Sequence, residues 1–336
     1  YHVQKYLVAP ASMPDDLVWF KWESYSTWLS GFALLAVVYY MGAGFYLVDP
    51  AVWDLAPVWA VVISVASLAF GWIAYNTLCK LFVNANQTVL MVALFAVLVM
   101  MSVFYTQVFA GRAALLHLGA FTATIMSANV FFIIMPNQRI VVDDLKAGRA
   151  PDAKYGKIAK QRSTHNNYLT LPVIFLMLSN HYPLAFASQW NWLIAALVFL
   201  MGVTIRHYFN SVHAGKGNPT WTWLATALLF LLIMFLSLVP ATDDSSEKAS
   251  GPALRYAQAE GFEEVTYIVM GRCSMCHAAE PAWDGLHWAP RGVKLETPGQ
   301  IARQAREIYL QAGISHGMPQ ANLSWREEDE RAKIRA

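Results

Sequence analysis

Six stretches of the 336-residue chain are apolar over nearly the length that crosses a bilayer, which takes about 20 residues in a helix. They are 28–47, 58–78, 89–109, 115–135, 190–209 and 221–239. A seventh, 168–180, is shorter and lies between the polar sets His165-Asn166-Asn167 and Asn180-His181-Tyr182. Backbone polar groups in lipid must be satisfied within the segment, so such stretches are expected to be helices. The short 110–114 connection makes the third and fourth an antiparallel hairpin. Trp and Tyr gather near the ends of the stretches, as interfacial anchors do. A chain patterned this way is expected to be an all-α, polytopic membrane bundle over 28–239 with about seven spans. Residues 1–27 form its cytoplasmic N-terminal segment.

Loop charge sets the orientation. Between Pro136 and Asn167 lie Arg139, Lys146, Arg149, Lys154, Lys157, Lys160 and Arg162, which makes this loop cytoplasmic. Lys5, Lys21, Lys80, Arg206 and Lys216 fall on the same side, and Arg112 alone on the other. Seven spans with the present start inside place everything after Val239 outside. Residue 1 is Tyr rather than Met, so the expected reading is a chain whose natural start is missing. The net charge of +2 and the lack of a basic, aromatic-interleaved patch give no reason to expect nucleic acid.

The polar remainder begins where the apolar pattern stops. Residues 240–336 hold 14 of the 22 acidic side chains. Residues 240–256, opening Pro-Ala-Thr-Asp-Asp-Ser-Ser-Glu, read as a linker, and 257–336 as a small soluble domain. That domain contains Cys273-Ser274-Met275-Cys276-His277, the attachment pattern of haem c. Two thiols on one turn can add to the porphyrin vinyl groups, and the next imidazole then lies under the iron. Met318, before Pro319, is the expected sixth ligand, with His316 as its competitor. A thioether in that position raises the haem potential, which suits an electron acceptor. A zinc site would need partners such as His287 and His316, which lack paired spacing. A redox dithiol would need a βαβ setting. Helices are expected at 262–272, from a Thr297-Pro298 start to about 310, and from a Ser324–Glu327 capping box onward. The last is cut off at the chain end. The expected fold is a class I-like cytochrome c, with the carbonyl of Pro281 or Pro290 accepting from the other ring nitrogen of His277. Cys79, the third cysteine, is expected to be a buried thiol.

Polar groups inside spans are expensive and therefore suggest function. An outer set comprises Gln107, Arg112, His117, Asn180 and His181. A second, inner set comprises Arg162, His165, Asn166 and Asn167. The outer set would lie nearer the haem domain, and distance alone favours it. The inner set would need an electron relay across the bilayer, which a haem b on membrane histidines could provide.

Five stretches carry a family resemblance: YHVQKYLVAP (1–10), FKWESYSTWLSGFALL (20–35), NVFFIIMPNQR (129–139), KQRSTHNNYLTLP (160–172) and SNHYP (179–183). Ahead of a haem c motif, they resemble the membrane-bound urate oxidases (urate hydroxylases) fused to cytochrome c. The resemblance implies oxidation of urate to 5-hydroxyisourate in a bacterial inner membrane. Electrons would pass to the fused haem and on to a downstream cytochrome c or terminal oxidase, with the haem domain facing the periplasm. Family members carry a further His-bearing apolar helix ahead of the point where this sequence begins. Two other classes fit the bare residues. One is a quinol-oxidising or carrier cytochrome without urate chemistry, and the other a transporter-like domain with a haem sensor.

Overall fold

The computed structural model describes residues 21–49, 52–82, 87–186, 188–238, 249 and 251–336. Most of the expected N-terminal segment (1–20) and of the linker (240–248 and 250) lies outside them. The described chain is all-helical and divides into two compact units.

Unit 1 opens with α1 (Lys21–Leu35), which runs on through a π turn (Ala36–Tyr40) into the short α2 (Ala43–Tyr46). Next come α3 (Pro57–Leu81), α4 (Gln87–Val108) and α5 (Gly111–Ala128), the last continued by a π segment (Asn129–Ile134) into α6 (Met135–Lys146). The unit closes with α7 (Ala153–Leu178), α8 (Pro183–Phe186), α9 (Asn191–His213) and α10 (Trp221–Leu238). Among the described residues five helices are long and apolar enough to span a bilayer: α3, α4, the continuous Gly111–Lys146 run, α9 and α10.

The stretch expected at 28–47 is interrupted after its π turn, at Met41–Gly42, where Gly42 leaves helical dihedrals. The one expected at 168–180 is mainly the second half of α7, whose first half carries Lys154, Lys157, Lys160 and Arg162. The basic loop expected between Pro136 and Asn167 is mostly helix, shortened to 147–152. Pro136 does not break the run because it sits in the first turn of α6, where its missing N–H is tolerated.

α5 is the central helix and packs against α1, α3, α4, α7, α8 and α9. It buries Leu115, His117, Leu118, Phe121, Thr122 and Ile125. α10 lies on α9 and turns Leu224, Phe230, Leu231, Phe235 and Leu238 outward. So large an exposed apolar face suits lipid and not water.

Gly71, Gly111 and Gly202 permit the closest approaches. A Cβ on Gly71 would run into the ring of buried Phe121, one on Gly111 would sit 2.6 Å from the Phe186 carbonyl oxygen, and one on Gly202 would sit 2.6 Å from the Pro172 ring inside α7. Gly202→Ala is therefore expected to destabilise unit 1 by about 1–3 kcal/mol through overpacking. Gly156→Ala, with nothing within 4 Å, should be neutral or stabilising by up to about 1 kcal/mol. Thermal unfolding in micelles reads both.

Unit 2 contains α11 (Leu254–Ala257), α12 (Phe262–Arg272), α13 (Pro298–Arg303), α14 (Ala305–Ile308) and α15 (Glu328–Arg335), together with the Val48–Leu55 segment. Its core joins Ile268, Val269, Leu295, Ile301, Ile308, Ala312 and Ile334. Arg272–Glu330 (2.9 Å) and Lys333–Glu264 (2.8 Å) tie α12 to α15. Asp54 pairs with Arg255 at 2.9 Å. Thr297 caps α13 in a reciprocal box with Gln300. The helical path to residue 310 bends at Gln304 and ends in a π turn (Tyr309–Ile314). The last helix starts at Glu328, capped by Glu327 with Glu330, rather than at the Ser324 box. Positive φ at Ala321, Asn322 and Trp325 keeps the preceding segment non-helical.

Candidate functional site

The inner polar set converges inside unit 1. His165 on α7 is buried, and its Nδ1 lies 2.8 Å from the Tyr75 hydroxyl of α3. Asn129, the first residue of the π segment, uses its Nδ2 twice, on the Tyr75 oxygen (3.0 Å) and on Asn166 Oδ1 (2.9 Å).

The direction of these bonds follows from one carbonyl. Asn166 Nδ2 donates to the Met126 carbonyl (2.9 Å), a group that can only accept. Asn166 Oδ1 must then face a donor, so Asn129 presents its amide nitrogen there and to Tyr75. With its oxygen accepting from Asn129, Tyr75 has its proton free for His165 Nδ1, and Cys79 Sγ lies 4.0 Å from the same nitrogen. Where Tyr75 donates, His165 is the Nε2–H tautomer.

Arg162, one turn before His165, is also buried. Its Nη2 donates to Asn76 Oδ1 at 2.9 Å, and its guanidinium carbon sits 4.9 Å from the centre of the Tyr75 ring. Its Nε and Nη1, like Asn129 Oδ1 and Asn167 Oδ1, are buried without a hydrogen-bond partner among the described residues. A buried guanidinium with two idle donors is costly unless a ligand, above all an anion, completes it. Beside the cluster, a cavity of about 230 Å³ opens among α4, α5, α7 and α9, with Tyr75, His165, Tyr168 and Phe121 on its wall.

The outer set does not form one constellation. Gln107 and His181 are exposed, and Arg112 is half-buried over the Phe186 ring at 5.2 Å. His117 is fully buried among the rings of Phe109, Tyr39 and Tyr105. Its Nδ1 lies 2.7 Å from the Ala113 carbonyl, and its Nε2 has no partner. Asn180 accepts from the Tyr39 hydroxyl at 3.2 Å. Only His117 and Asn180 are linked, through Tyr39. Distance to the haem domain favoured this set in the sequence, yet burial and hydrogen bonding gather the other one.

Sequence reading passed over Tyr75, Asn76 and Asn129. The signal was available, since Asn76 and Asn129 are amides inside otherwise apolar stretches. A π segment starting at Asn129 adds to it, because such bulges recur at functional sites.

In unit 2, Cys273, Cys276 and His277 share one tight turn after α12, with the Cys276 and His277 amides both donating to the Cys273 carbonyl (3.1 and 2.9 Å). His277 Nδ1 lies 2.9 Å from the Val293 carbonyl. The acceptor is thus Val293, neither Pro281 nor Pro290, because the chain returns beside His277 through Leu295, whose N–H donates to the His277 carbonyl (2.7 Å). The ring is oriented with Nε2 left for a metal. Burial pushes the Cys273 thiol up to about 11, and burial raises Cys276 as well. Among the described residues no three of His, Cys, Asp and Glu gather as a metal site. The half-buried Met318 follows the π turn, its N–H donating to the Gln311 carbonyl at 2.9 Å. His316 is exposed and holds its Nδ1 3.0 Å from Arg331 Nη1. Cys273, Cys276 and His277 in one turn, with the imidazole held by Val293, fit what a covalent haem asks of the chain.

No curated protein and no solved structure matches the chain. A family model described as urate oxidase N-terminal matches residues 1–237, ending before α11. That span contains every residue of the inner cluster and 237 of the 336 residues, and the chain therefore belongs to the urate oxidase N-terminal family.

Proposed function

We propose that the membrane unit oxidises urate to 5-hydroxyisourate and that unit 2 carries a haem c through which the electrons leave. Family membership points to an oxidoreductase acting on urate. The observation that carries the site assignment is the buried Arg162 guanidinium, with two idle donors, over Tyr75. Urate plus water gives 5-hydroxyisourate, two protons and two electrons. Arg162 holds the urate monoanion through its charge and one of its idle N–H groups, and Asn129 Oδ1 accepts from a ring N–H. A proton leaving the substrate enters at the Tyr75 oxygen as Tyr75 passes its own to His165 Nδ1, which becomes imidazolium. The Asn129–Asn166–Met126 chain holds that relay in one direction.

Cys273 and Cys276 would tether the haem, His277 Nε2 would bind its iron and Met318 would take the opposite side. Bound there, the haem supplies a one-electron outlet at a raised potential. Met318→Ala is expected to lower the haem midpoint potential and change the sixth-ligand spectrum, whereas His316→Ala should leave both unchanged. The chain is read as a multi-pass protein of a bacterial inner membrane, five spans being α3, α4, the Gly111–Lys146 run, α9 and α10 and the remaining two the α1–α2 and α7 stretches. Loop charge puts the haem on the periplasmic side, where a soluble cytochrome c or a terminal oxidase would accept its electrons.

Anaerobic membranes supplied with a one-electron dye test the proposal. Urate should disappear with two dye molecules reduced for each one consumed and no peroxide formed. Urate loss that requires oxygen and releases peroxide would overturn it.

A further inference from the structure

Unit 2 buries two arginines, Arg326 and Arg331, whose only paired carboxylate among the described residues is the solvent-exposed Glu328 on Arg331. Arg326 is 8% exposed and Arg331 is 3% exposed. Arg326 Nη1 donates to the Ala312 carbonyl, and Arg331 Nη1 to His316. Arg326 Nε and Arg331 Nε and Nη2 are buried with no hydrogen-bond partner among the described residues. The nearest carboxylate to Arg331, that of Glu328, is 3.7 Å from Nε and lies in solvent. Glu330 is engaged elsewhere, accepting from Arg272 and from the Glu327 amide. Burial, together with the Arg331 charge, depresses the Arg326 pKa. A guanidinium does not shed its proton in a protein, so the cost remains unless an anion joins the pair.

A pocket of about 210 Å³ opens here, lined by His316, Pro319, Ala321, Asn322, Arg326 and Glu328. It adjoins the Met318–Pro319 loop. The positive-φ turn at Ala321 and Asn322 shapes one side, and Asn322 braces Arg326 by bonding both its N–H (3.0 Å) and its carbonyl (3.1 Å).

We propose that this pocket binds a carboxylate, with Arg326 Nε as direct donor and Arg331 as the second positive charge. A carboxylate matches the planar guanidinium and offers oxygens for the idle N–H groups. It can come from a propionate of the covalent haem or from a small dicarboxylate in solution. The first source rests on the haem reading of Cys273, Cys276 and His277, and the second does not.

The full chain in detergent micelles, with covalent haem checked by staining, separates the sources. Succinate is the soluble probe. The variants are Arg326→Gln and Arg331→Gln, with Arg326→Lys and Arg331→Lys retaining the charge without the fork should a Gln variant fail to fold. If a propionate occupies the pocket, the variants shift the propionate bending band in resonance Raman and succinate has no effect. The Gln variants also lower the haem midpoint, because an uncompensated carboxylate favours the ferric state. If the source is soluble, succinate raises the wild-type melting temperature saturably, and the rise is lost in the variants. An unmoved Raman band together with no succinate response overturns the proposal. If no covalent haem forms, the haem reading has failed separately and the succinate response decides alone.

Discussion

Arg162→Gln is expected to cut urate-dependent electron output by about 100- to 1,000-fold, the usual loss when a charge-stabilising donor is removed from a closed site. Gln leaves a polar head near Asn76 but supplies no charge. The effect should be large because Arg162 is buried, where its charge is screened little and its idle donors have no competing partner. Arg162→Lys should recover only part of the activity, since a point charge lacks the planar N–H geometry of the guanidinium. Urate consumption in membranes with a dye acceptor measures both. Equal covalent haem in variant and wild type would show that the chain still folds and inserts. Activity within threefold of wild type in Arg162→Gln would remove Arg162 from the site.

Replacing Cys273 and Cys276 together by alanine should abolish covalent haem and all urate oxidation that depends on the natural acceptor. Dye-linked oxidation should survive. The two outcomes separate because the proposed chemistry is carried by unit 1 residues alone. Alanine is the appropriate replacement for Cys273, which packs against the Ile268–Val269 core, where a hydroxyl would be buried. Haem staining after denaturing electrophoresis and parallel dye assays read the pair. Loss of the dye-linked activity as well would mean that unit 2 takes part in the chemistry itself.

Much of this architecture is legible in the sequence because bilayer-length apolar runs leave the backbone one practical solution. Windows such as 58–78 and 89–109 fall inside α3 and α4 with only their ends displaced. The 115–135 window was cut short because α5 continues into polar sequence through a π segment and Pro136, which hydropathy cannot register. The 168–180 stretch looked isolated because the first half of α7 is charged.

At the site, Arg162, His165 and Asn166 were visible as polar residues near a span. What no linear pattern carries is that Tyr75 and Asn129 meet them, since their partnership spans 90 and 37 residues of sequence. Nor does sequence say which polar group is left idle. That requires a count of donors and acceptors, and the count is what moves attention from Arg112 and His117 to Arg162. In unit 2 the Cys-x-x-Cys-His turn was legible at once. The Val293 acceptor was not, because it depends on how a loop folds back over His277.

The most direct test is spectral. Urate added anaerobically to the oxidised, haem-loaded protein in membranes should reduce the c-type haem, with two haems reduced for each urate turned over as equivalents redistribute among molecules. A haem that stays oxidised with urate, yet is reduced by dithionite in the same folded sample, would contradict the account.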